Sequence, residues 1–233
     1  MHAKTAKHTG SIRKSVVIAA PQSIGAEEFR RLRTNIGFLV EQNMKTIVIT
    51  SAIANEGKSW IAANLAVMYA REGKKTLLVD CDMRMPSVQK TFGIFNELGI
   101  SNVLAGLVNP EAAIQKSFID YLYLLPSGPV PSNSSEMLTS KSMDSFLDYV
   151  KQNFDIILFD TPPLLSVVDG QILANRCEGS ILVVNSGKTD RQKAMKAKEM
   201  IVLSKGTLIG VVLNSCKSSY KNRWKNITKN KKL

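Results

Sequence analysis

Both ends of this 233-residue chain lack acidic residues altogether. Residues 1–16 carry Lys4, Lys7, Arg13 and Lys14, and residues 217–233 carry Lys217, Lys221, Arg223, Lys225, Lys229, Lys231 and Lys232, with no Asp or Glu in either stretch. The ends therefore hold eleven of the twelve net positive charges, and the 200 residues between them are nearly neutral. Having no apolar periodicity either, such tails are expected to be disordered. A basic tail suits acidic lipid or nucleic acid at modest affinity, and it equally suits plain solubility; charge alone does not separate these. Only Tyr220 and Trp224 bring aromatic rings to the C-terminal tail, whereas single-strand binding relies on successive stacking rings, so no specific nucleic-acid partner is expected.

Long hydrophobic runs are missing too. The longest, "IAANLAVMYA" (61–70) and "DIILFD" (155–160), fall well short of the roughly 20 residues that span a membrane. The chain does not open on the basic, apolar and small-residue succession of a secretory signal. It is therefore expected in the cytoplasm, held at a membrane only by a partner. Cysteine is scarce: Cys81, Cys177 and Cys216 are odd in number and show no CxxC spacing. That argues against a disulfide framework or a zinc site, and for three small buried hydrophobes.

What the chain does have is alternation. Strand-length apolar runs at 45–50, 75–80, 121–128, 155–160, 179–186 and 207–214 alternate with helical patterns at 58–71, near 110–116, 135–151 and 190–204. Such alternation implies crossover connections and a mainly parallel sheet covered by helices on both faces, an α/β fold in three layers. Several runs are apolar at nearly every position, as strands buried on both sides must be. Gly73 stands where a helix ending in "AREG" needs a left-handed cap, and Asn109 with Pro110 marks a helix start. Ahead of the first strand, residues 25–43 read as a helix with Phe29, Leu32, Ile36 and Leu39 on one face. One domain over residues 16–216 is expected, between basic tails at 1–15 and 217–233.

Three stretches carry chemistry. "SAIANEGKSW" (51–60) holds A-x-x-x-x-G-K-S between a strand and a helix. A helix N-terminus there aims free N–H groups and a positive dipole end at an anion. In such a phosphate loop Asn55, Glu56 and Gly57 bend the backbone around the phosphates, Lys58 reaches the β and γ oxygens, and the Ser59 hydroxyl ligates Mg²⁺. "DIILFD" ends in Asp160, which delivers a carboxylate to the sheet edge where ligands bind in open α/β folds. "KTLLVDCDMR" (75–84) ends a strand in Asp80 with Asp82 two residues on, so both carboxylates point the same way in an extended segment. Like charges on one face repel unless a cation or a proton donor uses them. One suits Mg²⁺ and the other suits general-base removal of a hydroxyl proton during phosphoryl transfer.

Taken together, "SAIANEGKS", "LLVDCDMR" and "ILFDTPP", with "FRRLRTN" before them and "SGPVPSNSSEML" between them, resemble the bacterial tyrosine kinases that accompany capsule and exopolysaccharide synthesis and export. The resemblance spans about residues 16–216. It implies a P-loop NTPase-type fold and an ATP- and Mg²⁺-dependent enzyme that phosphorylates tyrosines on itself and on other proteins. It puts Lys58 and Ser59 on the phosphates, Ser59, Asp82 and Asp160 on Mg²⁺, Asp80 as the base, and Asn214 at the adenine. Glu27, Arg30 and Arg33 match the family's subunit-contact helix and imply a homo-oligomeric ring; on spacing alone they are equally a solvated charge ladder. A separate membrane activator of the polysaccharide co-polymerase type and a cognate phosphotyrosine phosphatase are the implied partners, placing the kinase at the inner face of the membrane.

The chain departs from that family in two places. Its tail offers a single tyrosine, Tyr220, where relatives carry many, so Tyr220 is the one tail candidate for phosphorylation. In the phosphate loop, Ala54 and Asn55 replace Pro-Gly and Trp60 replaces threonine; Asn tolerates a left-handed backbone better than most residues, while Trp60 either packs under the sheet or lies near the nucleotide. Two other readings compete. A partition or septum-placement ATPase switch usually has a second lysine early in the loop, and "SAIAN" has none. A nucleotide-binding scaffold of the polysaccharide machinery with reduced kinase activity fits the thinned tail, but every acid and lysine the chemistry needs is present.

Overall fold

The computed structural model describes residues 15–39 and 44–216, so Tyr220 and most of both basic tails lie outside it. Helices α1 (Val16–Ala19) and α2 (Ile24–Leu39) precede strand β1 (Thr46–Ser51), followed by α3 (Lys58–Arg71) and β2 (Thr76–Asp80). Short helices α4 (Val88–Phe92), α5 (Ile100–Leu104) and α6 (Pro110–Ala113) lead to β3 (Gln115–Lys116) and β4 (Leu122–Leu125). Then come α7 (Ser134–Thr139), α8 (Lys141–Asn153), β5 (Ile156–Asp160), α9 (Asp169–Arg176), β6 (Gly179–Asn185), α10 (Arg191–Leu203) and β7 (Leu208–Asn214).

The seven strands form one sheet in the order β3-β4-β2-β5-β1-β6-β7, parallel throughout except for β3 against β4. From the interior strand β1 the chain crosses to β2 on one side, and from β5 it later crosses to β6 on the other. Ligands bind in the crevice where such a sheet reverses its strand order. Side-chain alternation explains the three layers. Ile47 and Ile49 of β1, Leu78 of β2 and Leu158 of β5 pack into one core with α2 and α3. Val48, Leu77, Val79, Ile157 and Phe159 pack into the other, with α5 and α8.

Helix α3 is buried along almost its whole length, from Ile61 to Ala70. Its alanines let it lie close to the sheet, and a helix apolar all round must be covered on its far side. Helix α2 supplies the cover with Phe29, Ile36 and the partly buried Leu32, while Leu39 is exposed.

Several expectations shift in detail. The pattern at 135–151 is two helices, because Ser140 ends α7 and its side chain accepts the Met143 N–H to start α8. The segment near 110–116 is a single turn followed by the short edge strand β3. Cys81 and Cys177 are buried, but Cys216 is exposed at the end of β7. Among the described residues, no helix is long and apolar enough to cross a membrane.

Candidate active site

The phosphate loop leaves β1, an interior strand between β5 and β6, and enters α3. Asn55 takes the left-handed conformation (φ 62°), the one its side chain tolerates, and Gly57 follows at φ 93°. A Cβ on Gly57 would be strained by the dihedral angle and would lie 2.2 Å from Asn214 Nδ2, so the tip of the Asn214 side chain would have to move. Asn214, at the end of β7, donates through that same Nδ2 to the Glu56 carbonyl at 2.8 Å. The Glu56 carboxylate is buried and accepts from Ile53 N (2.7 Å) and Asn185 N (3.0 Å) as well as from the Thr189 hydroxyl.

Register brings the acids together: Asp80 of β2 pairs with Asp160 of β5, and Asp160 with Ile49 of β1, at the same end of the sheet. Lys58 reaches back into this cluster, its Nζ 2.8 Å from Asp82 Oδ2, 3.5 Å from Asp160 Oδ1 and 3.2 Å from Ser59 Oγ. Burial alone would lower the Lys58 pKa, but the charges of Asp160 and Asp82 outweigh it and hold the ammonium protonated more firmly than usual. Burial pushes Asp160 up, against the pull of Lys58 and the Ser59 hydroxyl.

Asp80 is fully buried. One oxygen accepts Asp82 N (3.1 Å) and the other accepts Ser87 N (2.8 Å) and Val88 N (2.9 Å), which ties the 81–88 turn to the start of α4. Desolvation, reinforced by the Asp160 charge, raises its pKa to about 7 despite those donors. Asp82 is thus the acid beside Lys58, and Asp80 lies beneath the turn.

Ser59, Asp82 and Asp160 offer only oxygen donors, the chemistry Mg²⁺ prefers. Among the described residues no group of three or more acidic, His or Cys side chains could hold a metal by itself. That also fits Mg²⁺, which is commonly held by one or two carboxylates together with the phosphates of its nucleotide.

The other sequence-singled residues lie further out. Trp60 packs edge-on against Phe29 of α2, ring centroids 5.1 Å apart. With Leu32, Val211, Leu213 and Asn214 it lines an open cavity of about 780 Å³ between α2 and β7. Glu27 and Arg30 form an intrahelical pair (2.6 Å), Arg30 also donates to the Pro21 carbonyl, and Arg33 pairs with Glu72 beyond the end of α3.

One buried acid went unread in the sequence. Asp169, at the start of α9, accepts from Ser134 Oγ (3.0 Å) and Ser135 Oγ (2.7 Å), with Arg84 Nε 3.9 Å away. It joins the starts of α7 and α9 to the turn after β2. The only local signal was an Asp in the first turn of a short helix, "DGQILANR", with an Arg in its last.

Against known proteins, the AAA domain family matches residues 44–189. Tyrosine-protein kinase YwqD of Bacillus subtilis (strain 168) is 44% identical over 216 residues, 91% of each chain. The crystal structure of the chimerical protein CapA2B2 superposes with a TM-score of 0.83 at 38% identity, covering 86% of this chain and 88% of that one. The kinase domain of Escherichia coli tyrosine kinase ETK gives a TM-score of 0.84 at 27% identity over 88% and 81%. With a loop, twin acids and sheet-edge carboxylate in the order these motifs require, and with identity of this extent along the chain, the protein belongs to the bacterial tyrosine-protein kinases.

Proposed function

We propose that this chain is a protein-tyrosine kinase that uses ATP with Mg²⁺ and acts on itself and on other proteins in capsule or exopolysaccharide synthesis and export. The observation that carries the reading is the convergence of Lys58, Ser59, Asp82 and Asp160 at one edge of the sheet, within 3.5 Å of the lysine nitrogen.

Loop N–H groups from Asn55 to Trp60 cradle the phosphates, and Lys58 swings from Asp82 and Asp160 onto the β and γ oxygens. Ser59, Asp82 and Asp160 would hold Mg²⁺, and the ion would neutralise charge on the transferring group. Asp80 takes the phenol proton as the tyrosine oxygen bonds to the γ phosphorus, and the bridging oxygen leaves with its electron pair on ADP. A base with a pKa near 7 suits that task at neutral pH. Because Asp80 lies under the 81–88 turn, the turn must open for the hydroxyl to reach it. Asn214 faces the adenine.

Glu27, Arg30 and Arg33 are proposed as the contact helix of a homo-oligomeric ring, and Tyr220 as a target of a neighbouring subunit. Further proposals are a membrane activator protein that recruits the kinase to the inner face of the membrane and a phosphatase that reverses its products. An ATPase-switch reading lacks its usual second lysine in the loop.

Incubating the purified chain with Mg-ATP, with and without the activator's cytoplasmic segment, and probing for phosphotyrosine tests this directly. Phosphotyrosine should form in the wild type and vanish in Lys58→Met. ATP hydrolysis without phosphotyrosine on any protein would refute the kinase and favour the switch.

A further inference from the structure

Glu56 is flanked by two left-handed residues, Asn55 (φ 62°) and Gly57 (φ 93°). Left-handed residues on both sides of Glu56 turn the loop sharply there, Gly57 through its missing Cβ and Asn55 as a residue that tolerates that conformation. The Glu56 side chain is 1% exposed. One carboxylate oxygen accepts from Ile53 N within the loop, and the other accepts from Asn185 N at the end of β6 and from the Thr189 hydroxyl just before α10. Its backbone carbonyl accepts from Asn214 at the end of β7. Lys188, in the same turn as Thr189, donates to the Ala54 carbonyl at 3.0 Å. All three oxygens of Glu56 therefore accept hydrogen bonds inside the protein, from the loop itself, from the β6–α10 turn and from the end of β7.

We propose that Glu56 is a positioning residue: its carboxylate staples the phosphate loop to the β6–α10 turn and so sets the phosphate cradle against the base-binding strand ends. The assignment rests on the nucleotide-binding reading above but not on the identity of the phosphoryl acceptor. It replaces a direct contact between the Glu56 side chain and nucleotide, which a carboxylate beside phosphates would oppose by like charge. Three donors converge on two anionic oxygens. Glu56→Gln therefore turns an N–H₂ group toward at least one of those donors and breaks the staple with little change in shape.

The test measures Mg-ADP affinity by equilibrium binding, and ATP KM and kcat for protein phosphorylation, in the full chain carrying Glu56→Gln, Thr189→Val, Thr189→Ser and the Glu56→Gln/Thr189→Val pair. Glu56→Gln should weaken Mg-ADP binding and raise KM by about tenfold, the equivalent of one buried charge-assisted hydrogen bond, with kcat within about threefold. Thr189→Val should move the same quantities in the same direction. Thr189→Ser, which keeps the hydroxyl, should restore them, and the double variant should fall short of the sum of the two single effects because both substitutions act on one carboxylate network. Unchanged affinity with a lowered melting temperature would reduce Glu56 to a structural residue and overturn the proposal. So would a fall in kcat at constant KM, or effects of the two substitutions that simply add. A wild type that binds Mg-ADP but phosphorylates nothing would fail the kinase reading and leave this one standing on the binding data; a wild type that binds no nucleotide would overturn both.

Discussion

Lys58 Nζ lies 2.8 Å from Asp82 Oδ2, with side-chain exposures of only 11% and 7%. The ammonium thus sits among the carboxylates that are proposed to hold Mg²⁺, and Asp160 is its second acidic neighbour. Bringing a divalent cation beside a buried ammonium is costly. Nucleotide phosphates remove that cost by giving the lysine another anion.

Magnesium alone is therefore expected to leave the melting temperature of the wild type unchanged, whereas Mg-ADP raises it. At 100-fold excess over the dissociation constant the gain is about 2.7 kcal/mol. In Lys58→Met, Mg²⁺ alone should become stabilising because the two carboxylates have lost their cation. Thermal melts of both proteins with Mg²⁺, ADP and Mg-ADP check this, and a wild-type shift with Mg²⁺ alone equal to that with Mg-ADP would count against it.

Asp80 predicts two opposite responses to pH. Its folded pKa is raised to about 7, while an unfolded aspartate titrates near 4. Between those values the folded protein holds a proton that the unfolded chain has lost. The stabilising contribution of this group is complete below about pH 4 and is lost as pH rises through about 7. Catalysis needs the deprotonated base, so kcat/KM should climb with unit slope below about pH 7 and level off above it. Asp80→Asn should flatten that profile and lower activity by roughly 10²–10⁴-fold. A profile of unaltered shape in Asp80→Asn would move the base elsewhere in the acid cluster, to Asp82 or Asp160.

Local signals made much of this legible in the sequence. Helix α3 begins at Lys58 and ends at Arg71 as read, because Gly57 and Gly73 bracket it with left-handed residues and its apolar run fills every turn. The acids at 80, 82 and 160 share an edge because Asp80 and Asp160 end neighbouring parallel strands and Asp82 follows β2 by two residues. The Ser140 break was invisible because the apolar period continues from α7 into α8, and only the side-chain cap reveals two helices. Asp169 and the Glu56 carboxylate were harder still. Their partners lie 34 or more residues away in the chain for Asp169, and Asn185 and Thr189 are about as distant from Glu56 as the two halves of the fold. No periodicity or spacing reports such loop-to-loop bonds.

Gly57→Ala tests the geometry of the loop. The added Cβ meets Asn214 Nδ2 at 2.2 Å, and the dihedral angle of 93° is strained for any L side chain. The strain alone costs about 1–3 kcal/mol. Urea denaturation should show at least that loss, and Mg-ADP binding should fall sharply because the Asn214 contact to the Glu56 carbonyl must shift. Adding Asn214→Ala should relieve the clash without relieving the dihedral strain, so the double variant should recover only part of the stability. Full recovery would mean that the dihedral angle matters less than the contact.

Asp169 offers a different kind of test, since it touches neither the loop nor the acid cluster directly. It is fully buried, and its oxygens receive the hydroxyls of Ser134 and Ser135, with the half-exposed Arg84 alongside. Arg84 also donates to Ser134 Oγ at 3.3 Å, so the acid closes a small network across the starts of α7 and α9 and the turn after β2. In Asp169→Ala the two serine hydroxyls lose their acceptor, at about 1–3 kcal/mol for the buried Ser134 and less for the partly exposed Ser135. Asp169→Asn keeps one acceptor oxygen and should lose about half as much. Because Arg84 belongs to the same turn as Asp82, the alanine variant should also slow phosphorylation while leaving Mg-ADP affinity near that of the wild type. Denaturation curves with parallel phosphorylation and binding assays separate these effects. Loss of nucleotide affinity in step with stability would show that the network supports the whole cleft rather than the turn that carries the acids.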